Sequence, residues 1–357
     1  TLYAGAEVSR VAVDSRLTNR ADELTLREWN IEGYTKLGFR LPKVSGYVGL
    51  RIAGEDRKGS LGGGLGDFFR SGSELLTSAS LRYAPARDHE LSLTHSSSYT
   101  RPSYRDLLGY TSVASAAFLR KGNSALRTAY RRGLSLNYTY MRAAQLELSY
   151  TDTEDPIVEA MPPMLGGGLV LRRYNLDYSR TLRALLVLPL PLVSQKKFSW
   201  LALTILAAQR QWDAGHIETN DYSAQLNTQF VQHRHSFSLL SDWTVDLGVT
   251  YYSGVLYELY RIQRQWWVDA SVSKRMGNLR ATLSARDPFN TNIARGSYNP
   301  EVNGLAFERN WHSPRLELTI SYSWGKKSVK AQDTRARYDD LKRLTTGASE
   351  GMNTPAQ

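Results

Sequence analysis

Three groups of residues in this 357-residue chain are of types that do chemistry. His95 is followed by Ser96, Ser97 and Ser98. A hydroxyl within reach of an imidazole can become a nucleophile if a third group orients the base. On an extended strand His95 and Ser97 share a face, but the sequence names no orienting partner. His233 and His235 also share a strand face. Gln232 and Arg234 beside them read as a polar turn and no carboxylate is near in sequence, so surface histidines are expected rather than a metal site. Gly62-Gly63-Gly64-Leu65-Gly66 has the glycine density of a phosphate loop, but no Gly-Lys-Ser/Thr or strand-to-helix context follows, and a flexible loop is expected. Cysteine is absent, which removes disulfides and thiolate metal sites and fits an oxidising compartment. No catalytic, cofactor-binding or metal-ligating set is expected.

The elements around these residues are strands. Residues 315–324 read Arg-Leu-Glu-Leu-Thr-Ile-Ser-Tyr-Ser-Trp. Leu316, Leu318, Ile320, Tyr322 and Trp324 fall on one face, with Glu317, Thr319, Ser321 and Ser323 on the other. The same alternation recurs over 89–99, 134–140, 145–150, 222–230, 244–252, 268–274 and 279–286. About fourteen such segments fit the chain, each crossing a bilayer in about 10 residues, which uses about 140 and leaves about 217 for turns, loops and a tail. Helical membrane spans are excluded: hydrophobic residues are 41%, mean hydropathy is −0.41, and the best candidate, 184–193, is half the needed length and broken by Pro189 and Pro191. Aromatic content of 11% argues against disorder.

Connections alternate in length. Leu41-Pro42-Lys43, Pro85-Ala86-Arg87-Asp88, Met141-Arg142-Ala143 and Met276-Gly277-Asn278 are short; 59–73, 102–123, 155–168 and 288–314 are long. Tight turns at one rim and long loops at the other mark an antiparallel transmembrane β-barrel, with periplasmic turns and extracellular loops. Its apolar face meets lipid and its polar face lines a lumen. Tyr138, Tyr140, Tyr150, Trp243, Tyr251, Trp266, Tyr322 and Trp324 are expected in an aromatic girdle, with Tyr178, Tyr252 and Trp267 as further candidates. In lipid every backbone polar group must be paired, so the sheet must close, alone or with other strands.

The charge is 45 basic minus 34 acidic residues, or +11. On a barrel, lumen or rim cations attract anionic solutes or lipopolysaccharide phosphates. Nucleic acid is not an expected partner, because no binding module or basic helix is present. Arg172, Arg173, Asp177 and Arg180 read as ladder ion pairs. Residues 1–326 are assigned to the barrel and 327–357, from Lys327 onward, to a basic, mostly disordered periplasmic tail. The opening Thr-Leu-Tyr-Ala-Gly has no signal-like character and no initiator Met, so a processed chain or a fragment is expected.

Several phrases in order resemble one family. Ile31-Glu32-Gly33-Tyr34, Gly46-Tyr47-Val48-Gly49-Leu50-Arg51, Ser80-Leu81-Arg82-Tyr83, Tyr99-Thr100-Arg101-Pro102-Ser103-Tyr104-Arg105-Asp106-Leu107, Lys121-Gly122-Asn123, Asp155-Pro156-Ile157, Asp287-Pro288-Phe289-Asn290 and the closing Ser321-Tyr322-Ser323-Trp324-Gly325-Lys326 are similar to the C-terminal barrel portion of the Bacteroidetes-type outer-membrane β-barrel family, close to TonB-dependent receptors. The resemblance implies part of a 22-stranded barrel in the cell outer membrane, here without the plug, so that TonB is a partner only if a plug exists elsewhere. It implies a non-catalytic receptor or transporter that binds an unknown extracellular ligand through its loops and passes it through a polar lumen. Candidate ligand contacts are Arg101, Tyr104 and Arg105 in one loop and Asp287, Phe289, Asn290, Arg295 and Tyr298 in another. A surface-anchoring adhesive barrel is the alternative, and an outer-membrane hydrolase using His95 a remoter one.

Overall fold

A computed structural model describes residues 2–16, 23–61, 68–108, 111–115, 118–161, 169–195, 197–239, 242–298, 305–310 and 314–324. Gly62–Gly66 and the tail lie outside the described residues.

The chain is almost all strand. β1 (Leu2–Arg16), β2 (Glu23–Arg40), β3 (Val44–Leu61), β4 (Phe68–Ala86) and β5 (His89–Thr100) follow one another. A helical turn, α1 (Tyr104–Leu107), and two short strands, β6 (Thr111–Ser115) and β7 (Phe118–Lys121), precede β8 (Ala129–Tyr140) and β9 (Ala144–Glu154). After β10 (Ile157–Ala160) and β11 (Leu169–Asn175) come β12 (Tyr178–Gln195), β13 (Phe198–Ile217), β14 (Asn220–Leu239), β15 (Trp243–Tyr257), β16 (Tyr260–Met276) and β17 (Leu279–Arg286). β18 (Ile293–Tyr298) and β19 (Ala306–Asn310) occupy the last long connection before β20 (Arg315–Tyr322).

Fourteen strands run edge to edge in the order β1-β2-β3-β4-β5-β8-β9-β12-β13-β14-β15-β16-β17-β20, and β18 and β19 bring this sheet to sixteen. Every neighbouring pair along the path is antiparallel. β1 and β20 are not paired with each other, so the wall is open at both edges. The short strands form a second sheet, β10-β11-β7-β6, at the loop rim.

Register carries the period-two pattern across the wall. Leu318 faces Leu283 on the next strand and Ile320 faces Ala281; Val272 sits beside Leu283 and beside Val245. Each alternate set stays on one face, because pairing preserves the pleat. Leu316, Leu318 and Ile320 are 64–72% exposed, an apolar surface too continuous for water. No helix of the described residues is long and apolar enough to cross a membrane.

Two expectations change. The long connections at 59–73 and 288–314 are partly strand: β3 and β4 pair up to Gly59↔Phe68, and β18 pairs β16 above the point where β17 leaves it. At 18–20 residues, β2–β4 and β12–β14 far exceed the about 10 needed to cross lipid, and their upper halves stand above it. His233 and His235 lie in mid-strand on β14, not in a turn. Polar neighbours imitated a turn because their side chains satisfy one another. Trp200 Nε1 donates to His235 Nδ1 at 3.0 Å, the two imidazoles meet at 3.0 Å, and His233 Nδ1 meets Thr204 Oγ1 at 2.8 Å.

Candidate functional site

The inner face of the wall is lined by small hydroxyls. Thr94, Ser96 and Ser98 of β5, Ser135 of β8, Ser149, Thr151 and Thr153 of β9 and Thr181 of β12 share it with Arg131, Glu147, Arg183 and Gln209, and together they bound a concave space of about 590 Å³. Short polar side chains at alternate positions leave room beside the backbone and offer donors and acceptors without a bulky apolar contact. Sequence reading registered this face only as polar; which residues meet across five strands depends on register, which is not visible within any one segment.

Two loop assemblies rise above this wall. In the first, the segment after β5 folds inward onto β2–β4, and Leu107, Leu108 and Leu126 pack on Leu26. Ser103 caps α1, its hydroxyl accepting the Asp106 N–H at 3.2 Å. Beneath lies a buried ionic cluster. Arg57 is 3.5 Å from Glu28 and 4.0 Å from Glu55, and Arg101 is 2.6 Å from Glu55. Arg57 also donates to the Pro102 carbonyl, and its guanidinium lies 4.6 Å from the centre of the Tyr104 ring. Gly122 approaches the Leu108 carbonyl so closely that a Cβ there would lie 1.6 Å from its oxygen. Arg101 and Tyr104 thus anchor the loop to the wall, with Arg105 beside them on α1.

The second assembly joins the tips of four connections. Val158, Ala160, Met161, Tyr174, Leu176, Ile217, Tyr222, Leu259 and Tyr298 form one apolar core. Tyr298 is fully buried; its hydroxyl accepts the Met161 N–H at 2.8 Å, and its ring meets Tyr260 edge-on at 5.4 Å. Glu258, in the tight turn between β15 and β16, accepts the Glu159 N–H at 3.0 Å, and burial raises its carboxyl above the ordinary range. Asp287 is also buried. Its carboxylate accepts the Thr291 hydroxyl and the N–H groups of Thr291 and Asn292, folding Asp-Pro-Phe-Asn into a turn with Asp287 and Asn290 at positive φ. Phe289 is 67% exposed, and Arg295 pairs with Glu308 at 2.8 Å. Of the second loop's candidate contacts, Phe289 and Arg295 reach solution, whereas Asp287 and Tyr298 hold the loop together.

The remaining chemistry lies on the other face. Tyr138, Tyr140, Tyr150, Trp243, Tyr251, Trp266 and Tyr322 share the outward side with the leucine ladder, and Trp324 follows Tyr322 at 85% exposure. Tyr138, Tyr140, Trp243, Tyr322 and Trp324 stand by the short turns; Tyr150, Tyr251 and Trp266 stand six to ten residues higher along their strands. Tyr252 and Trp267 are on the opposite, inward face, stacked 5.8 Å apart. His95 and Ser97 also point outward, with Leu91 and Leu93. His95 bonds the Thr77 hydroxyl at 2.9 Å. Ser97 bridges the Thr77 backbone where the β4–β5 ladder ends. Neither of these contacts is to a carboxylate. Arg180 pairs with Asp152 across neighbouring strands at 3.1 Å, Arg173 lies 3.5 Å from Asp106, and Arg172 donates to Asn123. Among the described residues no cluster of three metal-ligating side chains occurs.

Similar proteins bear on this wall. Among solved structures, the copper transporter OprC aligns with TM-score 0.59 at 10% identity, covering 90% of this chain and 57% of that one. The ferric-catecholate import receptor Fiu of E. coli K12 aligns with TM-score 0.56 at 12% identity over 89% and 50%. The ferric enterobactin receptor PfeA in complex with BCV-L6 aligns with TM-score 0.51 at 12% identity over 85% and 55%. The chain therefore spans about half the length of each of these structures, and at such identities the likeness is one of fold. No curated protein matches. The family model for the outer membrane protein beta-barrel family matches residues 9–322. An apolar outward face, a hydroxyl-lined inward face and loops gathered at one rim agree with that match, and the chain belongs to the outer membrane protein beta-barrel family of the cell outer membrane.

Proposed function

We propose that this chain is the larger part of the wall of a non-catalytic receptor or transporter, which takes an extracellular ligand at its loop platform and passes it along the hydroxyl-lined inner face. The observation that carries the reading is the inward folding of the loops over that face. A barrel that served only as an anchor has no need of loops packed on the inside of its wall. The fold shared with OprC, Fiu and PfeA, whose names describe copper transport, ferric-catecholate import and ferric enterobactin reception, supports the same class. Phe289 and Arg295 are the ligand contacts we favour. Coupling to TonB would require a plug that occupies the lumen.

The cysteine-free sequence makes the test direct. In intact cells, a hydrophilic maleimide should label Ser149→Cys on the inner face and spare Leu148→Cys on the outer. Labelling of Leu148→Cys alone refutes an aqueous inner path. Deleting 288–314 separates passage from adhesion: loss of adhesion with solute flux unchanged selects the anchor.

A further inference from the structure

The outward face of β2–β4 is apolar for much of its height and then changes abruptly. Phe39, Leu37, Leu50, Ile52, Leu75 and Ile31 occupy successive outward rows and are all at least half exposed. From Phe39 to Ile31 is eight residues, about 27 Å of strand, enough at barrel tilt for the apolar band of an outer-membrane wall. The next row holds Trp29, with Arg10 and Asp56 as its cross-strand partners. The row above places Arg27 directly opposite Lys58, and Lys58 opposite Phe69.

Like charges directly opposite on neighbouring strands repel. Among the described residues no carboxylate comes within 4.0 Å of Arg10, Arg27 or Lys58, and Asp56 lies one row below on the same face. Arg10 lies 4.9 Å from the centre of the Trp29 ring and Lys58 5.0 Å from that of Phe69. Arg27 and Lys58 are exposed. Some other outward-facing cations are paired within the chain. Arg132 pairs with Glu154 at 3.0 Å and Arg180 with Asp152 at 3.1 Å. Arg27 and Lys58 stand two rows above Ile31 on the outward face, just past the apolar rows, where headgroups begin.

We propose that Arg10, Arg27 and Lys58 form a seat for the phosphates of a lipopolysaccharide molecule, its acyl chains lying on the Ile31–Leu75 surface below. Charge complementarity selects a phosphorylated lipid, and the contiguous apolar rows select a membrane molecule over a free anion. The seat is on the outer surface, separate from any passage through the lumen, and stands whether or not the chain transports a ligand.

The full chain, reconstituted in phosphatidylcholine nanodiscs, is titrated with bis-phosphorylated lipid A, and the bound lipid is counted by native mass spectrometry. Arg27→Gln/Lys58→Gln should weaken binding about 30-fold, the scale for two basic residues at an anionic surface. Lys274→Gln, which removes an outward-facing cation at the opposite rim, should leave it unchanged. Dephosphorylated lipid A should bind the wild type no better than lipid A binds the double variant. Equal binding by wild type and double variant, or by lipid A with and without phosphates, overturns the proposal; so does complete displacement of lipid A by millimolar inorganic phosphate, which would define a free-anion site. Heat-modifiable migration on gels verifies folding. If the double variant fails that control, Lys58→Gln alone should show about a fivefold loss.

Discussion

The hydroxyl of Tyr298 offers a sharp way to test whether the loop core is a cooperative platform. Tyr298→Phe keeps the ring, and with it the edge-on contact to Tyr260, but removes the acceptor of the Met161 N–H. Both partners are buried. A buried donor deprived of its partner costs about 1–3 kcal/mol, which is about a 5- to 150-fold rise in the open population at 1.4 kcal/mol per decade. Hydrogen exchange followed by mass spectrometry reads this directly. In the variant, peptides covering 157–161 should exchange faster by that factor, while peptides from the lipid-facing halves of β15 and β16 keep the wild-type rate. Unchanged exchange at Met161 would show that the hydroxyl does not hold the connection. Faster exchange everywhere would show that platform and wall unfold together. Either result refutes the argument that loop tips fold as a unit on top of an independent wall.

Glu258 makes the same platform sensitive to pH. Its carboxyl is raised by burial in the folded state, so the folded form holds the proton more tightly. Its contribution is therefore complete below the ordinary carboxylate range and is lost as pH climbs through the raised value. Exchange at 157–161, corrected for its intrinsic pH dependence, should accelerate as pH rises, and Glu258→Gln should flatten that response. Arg57→Met leaves Glu28 and Glu55 without one of their cations in a buried cluster, a loss of about 3–5 kcal/mol; limited proteolysis should then cut within 101–128 while the wall stays intact. Leu318→Arg places a charge on the lipid face and should cost about 2–4 kcal/mol in denaturant titrations in lipid, whereas Thr319→Arg, one residue on and facing inward, should cost far less. Equal losses at 318 and 319 would deny that the two faces meet different solvents.

What could be seen in the sequence was whatever repeats every second residue. Leu316 through Trp324 announced their faces because lipid demands apolar side chains on one side and tolerates polar ones on the other. Above the lipid that demand lapses. Lys58-Gly59-Ser60-Leu61 has water on one side and loop on the other, so the strand continues with no alternation to mark it. His233 and His235 misled for a related reason: polar side chains on an outward face look like a turn unless the Trp200 and Thr204 that satisfy them, more than twenty residues away, are known. The candidate ligand residues divide the same way. Phe289 is where a loop reading put it, whereas Tyr298 and Asp287 are interior, and nothing in their neighbours' types distinguishes a buried loop tyrosine from an exposed one. The hydroxyl-lined cavity was legible only as polarity.

The two unpaired borders of the wall bear on how such a protein reaches its membrane. Along β1 and β20 the amide and carbonyl groups of alternate residues face sideways with no partner among the described strands, and hydrocarbon charges several kcal/mol for each one left bare. A half-inserted sheet would be less stable than one still in water. Closure of those borders, on each other or on further strands, and entry into the bilayer must therefore be a single concerted event, with the zipper fastened as the lipid arrives.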